Sequence, residues 1–209
     1  MNIEKRFYET LLIQFDDLKI SVDGNLSASI ATILREEFPE RQEPKGKFLA
    51  FNKDSRKGMM IDDDSLQLRD DHVPLIDESV TFIVNTLMEL PNTVGWQQGV
   101  VTIVTMGKLP LEKTEEVQTL LADKLVARGI DTSKLPGSPM AGMTGIMLHR
   151  DDAHLQFSLE TDYEDSVPGL AFEFAITWEG MAESISHVKT LFEGHAVELE
   201  RVLRLLRDW

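Results

Sequence analysis

Two stretches of the chain have residue spacings that could support phosphate chemistry. Gly137 and Gly142 are spaced like the glycines of a phosphate-binding loop, and Thr144 stands at the hydroxyl position. Met143 replaces the lysine that would contact the phosphates, so the loop lacks its cation. His149-Arg150-Asp151 matches the catalytic triplet of protein kinases, but the sequence contains no Asp-Phe-Gly segment and no kinase-type glycine-rich loop. We therefore predict neither nucleotide binding nor phosphoryl transfer.

Two histidines and two carboxylates around one short turn could supply ligands to a metal ion. His149 and His154 flank Asp151 and Asp152, and imidazole and carboxylate groups are common ligands of zinc and related metals. Charged hairpin tips also serve solubility alone. The acidic run Asp62-Asp63-Asp64 lacks the central glycine and the final glutamate of a calcium loop. We predict no metal site and no cofactor.

The chain shows no recognisable catalytic arrangement. No serine, lysine or carboxylate pair stands beside a partner at a spacing typical of a nucleophile or an acid–base pair, and we assign no catalytic residue. Carboxylates are so abundant that any pair of them could be proposed. The sequence favours a non-enzymatic protein and leaves an enzyme open.

His195 is the polar residue in the apolar stripe of the last predicted helix. It follows Gly194, which has a low helix propensity. A histidine at such a position is expected to be buried and hydrogen-bonded. The alternative is a small-molecule pocket between this helix and the sheet, near His195 and Trp178.

The composition excludes several classes of protein. The chain has 209 residues, with 36 Asp and Glu against 21 Lys and Arg, so its formal net charge is −15. Such a charge disfavours direct binding to nucleic acid or to anionic membranes. There is no cysteine, no signal-like apolar region at the start and no run of eighteen apolar residues. The expected location is the cytoplasm.

The most informative single element is a long amphipathic helix near the carboxyl end. Its apolar residues recur at intervals of three and four, which keeps them on one stripe. The stripe consists of Met181, Ile185, Val188, Phe192, Leu199, Val202 and Leu206, with His195 in its one gap. At about 1.5 Å per residue this helix is long enough to cross a whole sheet. We expect it to pack on the alternating apolar face of the strand before it, which carries Phe172 and Phe174.

Strands and helices recur in a similar order in both halves of the chain. The expected elements are strand 7–22 with a bend at 16–17, helix 26–38, strands within 48–68, helix 74–91, strand 100–106, helix 110–125, strands 144–150, 154–161 and 170–178, and helix 181–206. Period-two alternation favours a mainly antiparallel sheet covered by helices, which is an α+β fold. We predict a single compact domain over 1–209, with half-domains 1–91 and 97–209 as a twofold internal pseudo-repeat.

Two segments resemble a sporadically distributed, uncharacterised family of bacterial α/β proteins. The first is Leu34-Arg35-Glu36-Glu37-Phe38-Pro39-Glu40-Arg41, which is similar to a helix end and the following loop in that family. The second is 172–206, which is similar to the family's final strand and helix. The resemblance implies a shared α+β plan and a role in a mobile or defence-associated gene neighbourhood. It implies no catalytic residue.

These observations lead to three functional hypotheses. The first is a non-enzymatic accessory component of a larger cytoplasmic assembly, which binds another, basic protein through acidic residues. The second is an inhibitor that mimics nucleic acid and requires acidic residues on one face at phosphate-like spacing. The third is a small-molecule binder with its pocket under the last helix. The predicted interaction surface consists of Asp62, Asp63, Asp64, Asp151 and Asp152.

Overall fold

The computed structural model describes residues 7–71, 76–110, 144–150, 152–162 and 169–207, which form one antiparallel sheet and three α-helices. The strands are β1 (Phe7–Asp16), β2 (Glu40–Gln42), β3 (Lys47–Asn52), β4 (Lys57–Asp62), β5 (Leu66–Asp70), β6 (Val100–Pro110), β7 (Thr144–His149), β8 (Ala153–Asp162) and β9 (Gly169–Met181). The helices are α1 (Gly24–Ile33), α2 (Ile76–Glu89) and α3 (Ile185–Arg207). The predicted α+β class is confirmed.

The sheet has nine strands in the order β2-β3-β4-β5-β1-β6-β9-β8-β7. The two central strands come from the two halves of the chain, and Leu12 of β1 pairs with Val104 of β6 near the middle. Outward from this pair, β5, β4 and β3 on one side correspond to β9, β8 and β7 on the other. The topology therefore has the twofold character of the predicted pseudo-repeat. Strand β6 extends to Pro110, where the predicted helix 110–125 was expected to begin, and the rest of that prediction lies outside the described residues.

All three described helices pack on the same face of the sheet. Alternate strand residues such as Ile13, Leu68 and Ile103 are fully buried, and they share one core with residues of α1, α2 and α3. A second core joins Leu199 and Leu203 of α3 to Phe172, Phe174 and other residues of the last two strands. The expected packing of the last helix on the strand before it is present, with Leu199 only 1% exposed. Among the described residues, none of these helices lies over the opposite face.

The first strand is shorter than the alternation predicted. It ends at Asp16, because Asp17 has a left-handed backbone with φ of 62°. The residues that follow still pack inward, and the amides of Leu18 and Ile20 donate to the carbonyls of Asp64 and Asp63. The phase change in the sequence therefore marks a change of partner, from the sheet ladder to the β4–β5 turn.

Several helix and strand bounds also differ from the prediction. Helix α1 ends at Ile33, although Leu34 and Phe38 beyond it remain buried. The short strand β2 falls where a loop was expected, since it pairs with β3. Strand β9 extends to Met181, and α3 starts at Ile185, where the Ser184 hydroxyl accepts a hydrogen bond from the amide of His187.

The connection between the halves is part of the core. Residues Asn92–Val94 and Trp96–Gln98 form two short 3₁₀ turns, and Val94 and Trp96 are buried. The Trp96 ring lies 5.7 Å from that of Phe15. A connection anchored in this way holds β6 beside β1. In the described part of the chain, no helix is long and apolar enough to span a membrane.

The start of α1 depends on the side chain of Asp23, and its removal gives a first prediction. One carboxylate oxygen of Asp23 accepts from the amides of Asn25 and Leu26 at 3.0 and 2.8 Å. Asp23→Ala should lower the free energy of unfolding by about 1 kcal/mol, because two helix amides lose their acceptor. Urea unfolding followed by circular dichroism measures this change. Asp23→Asn keeps an acceptor and should stay close to the natural protein; an equal loss in both variants would contradict the capping role.

Candidate functional site

A cleft that includes Trp178 lies beside the last helix, where the sequence analysis considered a small-molecule pocket. The cleft has a volume of about 440 Å³ and lies between α3 and strands β8 and β9. Leu155 and Ile176 line it beside Trp178, and the Arg150 guanidinium donates to Glu198 at 2.8 Å at its margin. His195, the other residue of the predicted pocket, does not line this cleft.

His195 instead lies in the core between α3 and the sheet. It is 3% exposed, and its Nε2 shares a hydrogen bond of 2.8 Å with the Thr105 hydroxyl. Its ring centroid is 4.9 Å from that of Phe174. Nδ1 has no hydrogen-bond partner among the described residues. Burial lowers the pKa of His195 from 6.5 to about 3, so the ring is neutral at physiological pH.

The acidic run of the predicted interaction surface forms the β4–β5 turn. One carboxylate oxygen of Asp62 accepts from the amide and the hydroxyl of Ser65 at 2.9 and 2.8 Å, which closes the turn. Asp63 and Asp64 are exposed. A hydrogen bond with the Asp62 carboxyl and repulsion from Asp62 and Asp16 raise the pKa of Asp64. Asp62 therefore has a structural role, and its two neighbours are accessible.

The two parts of the predicted acidic surface lie at the same end of the strands but far apart. Asp152 is exposed at the start of β8, and Asp151 is outside the described residues. Five strand spacings separate β4 from β8, which is roughly 24 Å. Asp16 and Glu179 lie at this end of the sheet between them. We call Asp16, Asp62, Asp63, Asp64, Asp152 and Glu179 the acidic rim.

The histidines considered as metal ligands contact each other across the β7–β8 hairpin. His149 Nδ1 and His154 Nδ1 are 2.6 Å apart, and His154 Nε2 is 3.0 Å from a carboxylate oxygen of Glu179. Within the described ranges, no group of three histidine, aspartate or glutamate residues is arranged to hold a metal ion. His149, His154 and Glu179 therefore form a polar end of the hairpin.

The face opposite the helices carries two continuous rows of side chains, which sequence reasoning did not single out. Strand pairing places one residue from each of eight strands in each row, and we call the two rows together the band. The first row is Leu49, Met60, Gln67, Gln14, Thr102, Thr177, His154 and His149. The second row is Phe51, Gly58, Arg69, Leu12, Val104, Ala175, Gln156 and Met147. The band crosses roughly 34 Å of sheet.

The band contains few charged side chains, although charged residues are frequent in the protein as a whole. Arg69 is its only residue with a formal charge when histidine is neutral, whereas 27% charged residues in the whole chain would place about four among sixteen. Amide and hydroxyl groups pair within the first row: Gln67 donates to Gln14 at 3.3 Å, and the hydroxyls of Thr102 and Thr177 are 2.9 Å apart. Of the apolar members, Met147 is 63% exposed and Leu12 is buried, and the others are partly exposed.

The signal for this band was present in the sequence as uncharged residues at the outward positions of alternating strands. Outward positions are usually assigned to solvent, and only the strand order shows that they align into rows. No protein-family model and no curated protein matches this chain, so the assignment of the site rests on its geometry.

Proposed function

We propose that this protein is a non-enzymatic binding protein that holds another protein against the band, as an accessory component of a larger cytoplasmic assembly. The observation that carries the proposal is the near absence of charge from sixteen aligned positions, fifteen of them at least partly exposed, on a chain of net charge −15. Charged residues are depleted from the centres of protein interfaces, where apolar and neutral polar groups are desolvated together. A surface selected only for solubility would carry charges there.

The chemistry of the site defines the partner. The centre of the partner's binding surface should be apolar with amide or hydroxyl groups, because the band offers Leu49, Phe51, Val104 and Met147 beside glutamines and threonines. Its flank should be basic, since the acidic rim borders one end of the band. Opposite charges at the margin steer encounter and orient the complex. Five residues along each strand, two of which belong to the band, span about 17 Å. Over the roughly 34 Å width of the band, this face offers about 600 Å² to a partner, near the lower limit for a specific interface.

Charged substitutions within the band test this proposal. Val104→Glu and Gln156→Glu each place a carboxylate in the desolvated centre and should weaken partner binding at least about tenfold, because the charge is buried without a counter-ion. The measurement is affinity capture of partners from the source cells, followed by titration calorimetry with the purified partner. The fold of each variant is checked by its urea unfolding curve.

The matched control is Val197→Glu, which adds the same charge on the outer side of α3, where Val197 is 59% exposed. This variant should bind its partner as the natural protein does. The proposal fails if no partner is captured at low salt, or if all three variants bind equally well.

The nucleic-acid mimic makes a different prediction for the acidic rim. The double variant Asp63→Asn, Asp64→Asn should slow association and reduce its salt dependence if the rim only steers the partner. It should remove most of the affinity if carboxylates imitate phosphates. The band itself contains no carboxylate, which favours the proposed uncharged interface over the nucleic-acid mimic.

A further inference from the structure

The cleft at Trp178 is open because a glycine lies at the middle of its helical side. The residues of α3 that line it are spaced by three and four, which places them along one side of the helix. They are His187, Thr190, Leu191, Gly194 and Glu198. At about 440 Å³ the cleft is within the size range of small-molecule sites.

Gly194 is a poor choice for the stability of α3. A glycine inside a helix is less favourable than alanine, because it gives up more backbone freedom on folding. No close approach requires it, since a Cβ at Gly194 would meet no atom of the described residues within 4 Å. The same holds for Gly180, which lines the cleft from the end of β9. Packing requires neither glycine, and the space that both leave open is the cleft itself.

Trp178 supplies the accessible aromatic surface of the cleft. Its side chain is only half-buried, whereas Leu155 and Ile176 beside it are closed off in the core. Gly180, two residues further along β9, adds no side chain that could cover the ring. A flat ligand can therefore stack on the indole, whose face also attracts cations.

Asp152 supplies the uncompensated charge of the cleft. The other two charged residues that line it, Arg150 and Glu198, pair with each other at 2.8 Å, and Glu198 also accepts from Arg201 outside the cleft. The Asp152 side chain is exposed and forms no hydrogen bond or ion pair with any described residue. A cation entering the cleft therefore meets a free carboxylate, and the net charge of −15 favours its approach.

The strand register places this carboxylate beside the indole. Ala153 of β8 is paired with Trp178 of β9, and Asp152 comes directly before Ala153. The backbones at Asp152 and Trp178 are thus roughly 6 Å apart, one strand spacing and one residue along the strand. This separation suits a ligand that carries a charged group on a short arm attached to a flat ring.

We propose that this cleft binds a small aromatic amine, whose ring stacks on Trp178 and whose ammonium group contacts Asp152. The ring occupies the space beside Gly194, and the volume of the cleft exceeds that of two fused rings. The cleft is on the helix side of the sheet and the band is on the opposite face. The proposal therefore does not depend on the proposed protein partner.

Titration with tryptamine tests the proposal, and tryptophol and indolepropionate serve as the uncharged and anionic ligands with the same ring. Calorimetry should show saturable tryptamine binding with Kd below about 1 mM, tryptophol binding at least about threefold weaker, and indolepropionate weaker still. Two-dimensional NMR should show a shift of the Trp178 indole signal on titration, while that of buried Trp96 stays in place.

Removal of the carboxylate tests the contact with the ammonium group. Asp152→Asn should lower the affinity for tryptamine to that for tryptophol, because the ion pair is lost. Asp54→Asn is the matched control, since it removes the same charge from an exposed position between β3 and β4. This control should bind tryptamine as the natural protein does.

A cleft-filling variant separates ligand binding from stability. Gly194→Leu should weaken tryptamine binding at least about tenfold, because the new side chain occupies the cleft, without lowering the free energy of unfolding, since leucine favours a helix. Val197→Leu on the outer side of α3, where Val197 is 59% exposed, should leave binding unchanged. The proposal is overturned if tryptamine does not bind saturably, if tryptophol binds as tightly, or if the Gly194→Leu and Val197→Leu proteins bind tryptamine equally well.

Discussion

Replacing Gly107 by alanine should destabilise the protein by about 3 kcal/mol, one of the largest effects expected of any single methyl group in this chain. Gly107 lies in β6 and faces the core between β1 and β9. A Cβ at this position would lie 2.3 Å from the carbonyl oxygen of Phe7 and 2.8 Å from the ring of Phe172. The Phe172 ring is fixed in turn, since it is 3% exposed and contacts the edge of Tyr8 and the face of Phe157. The methyl group can therefore be accommodated only if backbone and core both shift.

Urea unfolding monitored by fluorescence measures this effect. Gly194→Ala is the matched control, because an added Cβ there has no atom within 4 Å and the residue lies inside α3. This control should stabilise the protein by about 0.5–1 kcal/mol, since alanine restricts the unfolded chain and favours a helix. Equal stability of Gly107→Ala and the natural protein would show that β6 does not approach β1 and Phe172 this closely.

The stability of the protein should fall steeply below pH 6.5 because of His195. Its pKa is about 3 in the folded protein and 6.5 in the unfolded chain, so the unfolded state binds the proton first as pH falls. Stability from the neutral ring is complete above pH 6.5 and is lost progressively between pH 6.5 and 3. The expected loss from this residue is about 2 kcal/mol between pH 7.5 and pH 5, and about 4 kcal/mol by pH 3.

A comparison with His195→Gln isolates this contribution from that of the carboxylates. Glutamine retains a polar group that can reach the Thr105 hydroxyl but does not titrate. The difference in unfolding free energy between the two proteins should therefore change by about 2 kcal/mol between pH 7.5 and 5, as measured by urea unfolding. His187→Gln is the control on the same helix, where the histidine is only half-buried. A pH-independent difference for His195→Gln would contradict the buried, neutral assignment.

The elements that were predicted well are those whose signal is local. The spacing of Val188, Phe192 and Leu199 predicted one buried stripe, and all three are at most 5% exposed. The alternation of Phe172 and Phe174 predicted the buried face of β9. Periodicity predicts these features because a helix or a strand turns each side chain by a fixed angle from the last.

The features that were missed depend on contacts between distant residues. Strand β2 has little apolar signal and exists because β3 offers it an edge. On α2, Met88 is 65% exposed while Val84 on the same helix is buried. Which faces of α2 are covered follows from where α3 crosses it, and a single helix does not encode that position.

The candidate sites also differ in how far they depend on local sequence or on contacts between distant residues. The sequence predicted a buried, hydrogen-bonded His195 in the stripe of the last helix, and its burial and its contact with Thr105 confirm this. The buried position of His195 depends on Thr105, ninety residues away in the chain. The cleft at Trp178 is a space between α3 and two strands, so no single segment specifies its shape.

By itself the sequence determined the α+β class, the inward faces of the strands, the long last helix and an acidic surface, because composition and short-range periodicity are properties of neighbouring residues. The tertiary structure decided the strand order that joins β1 to β6 and the alignment of sixteen outward residues into the band. These depend on pairing across many residues of chain, where burial and hydrogen bonding of the whole sheet select one register from several that the local pattern permits.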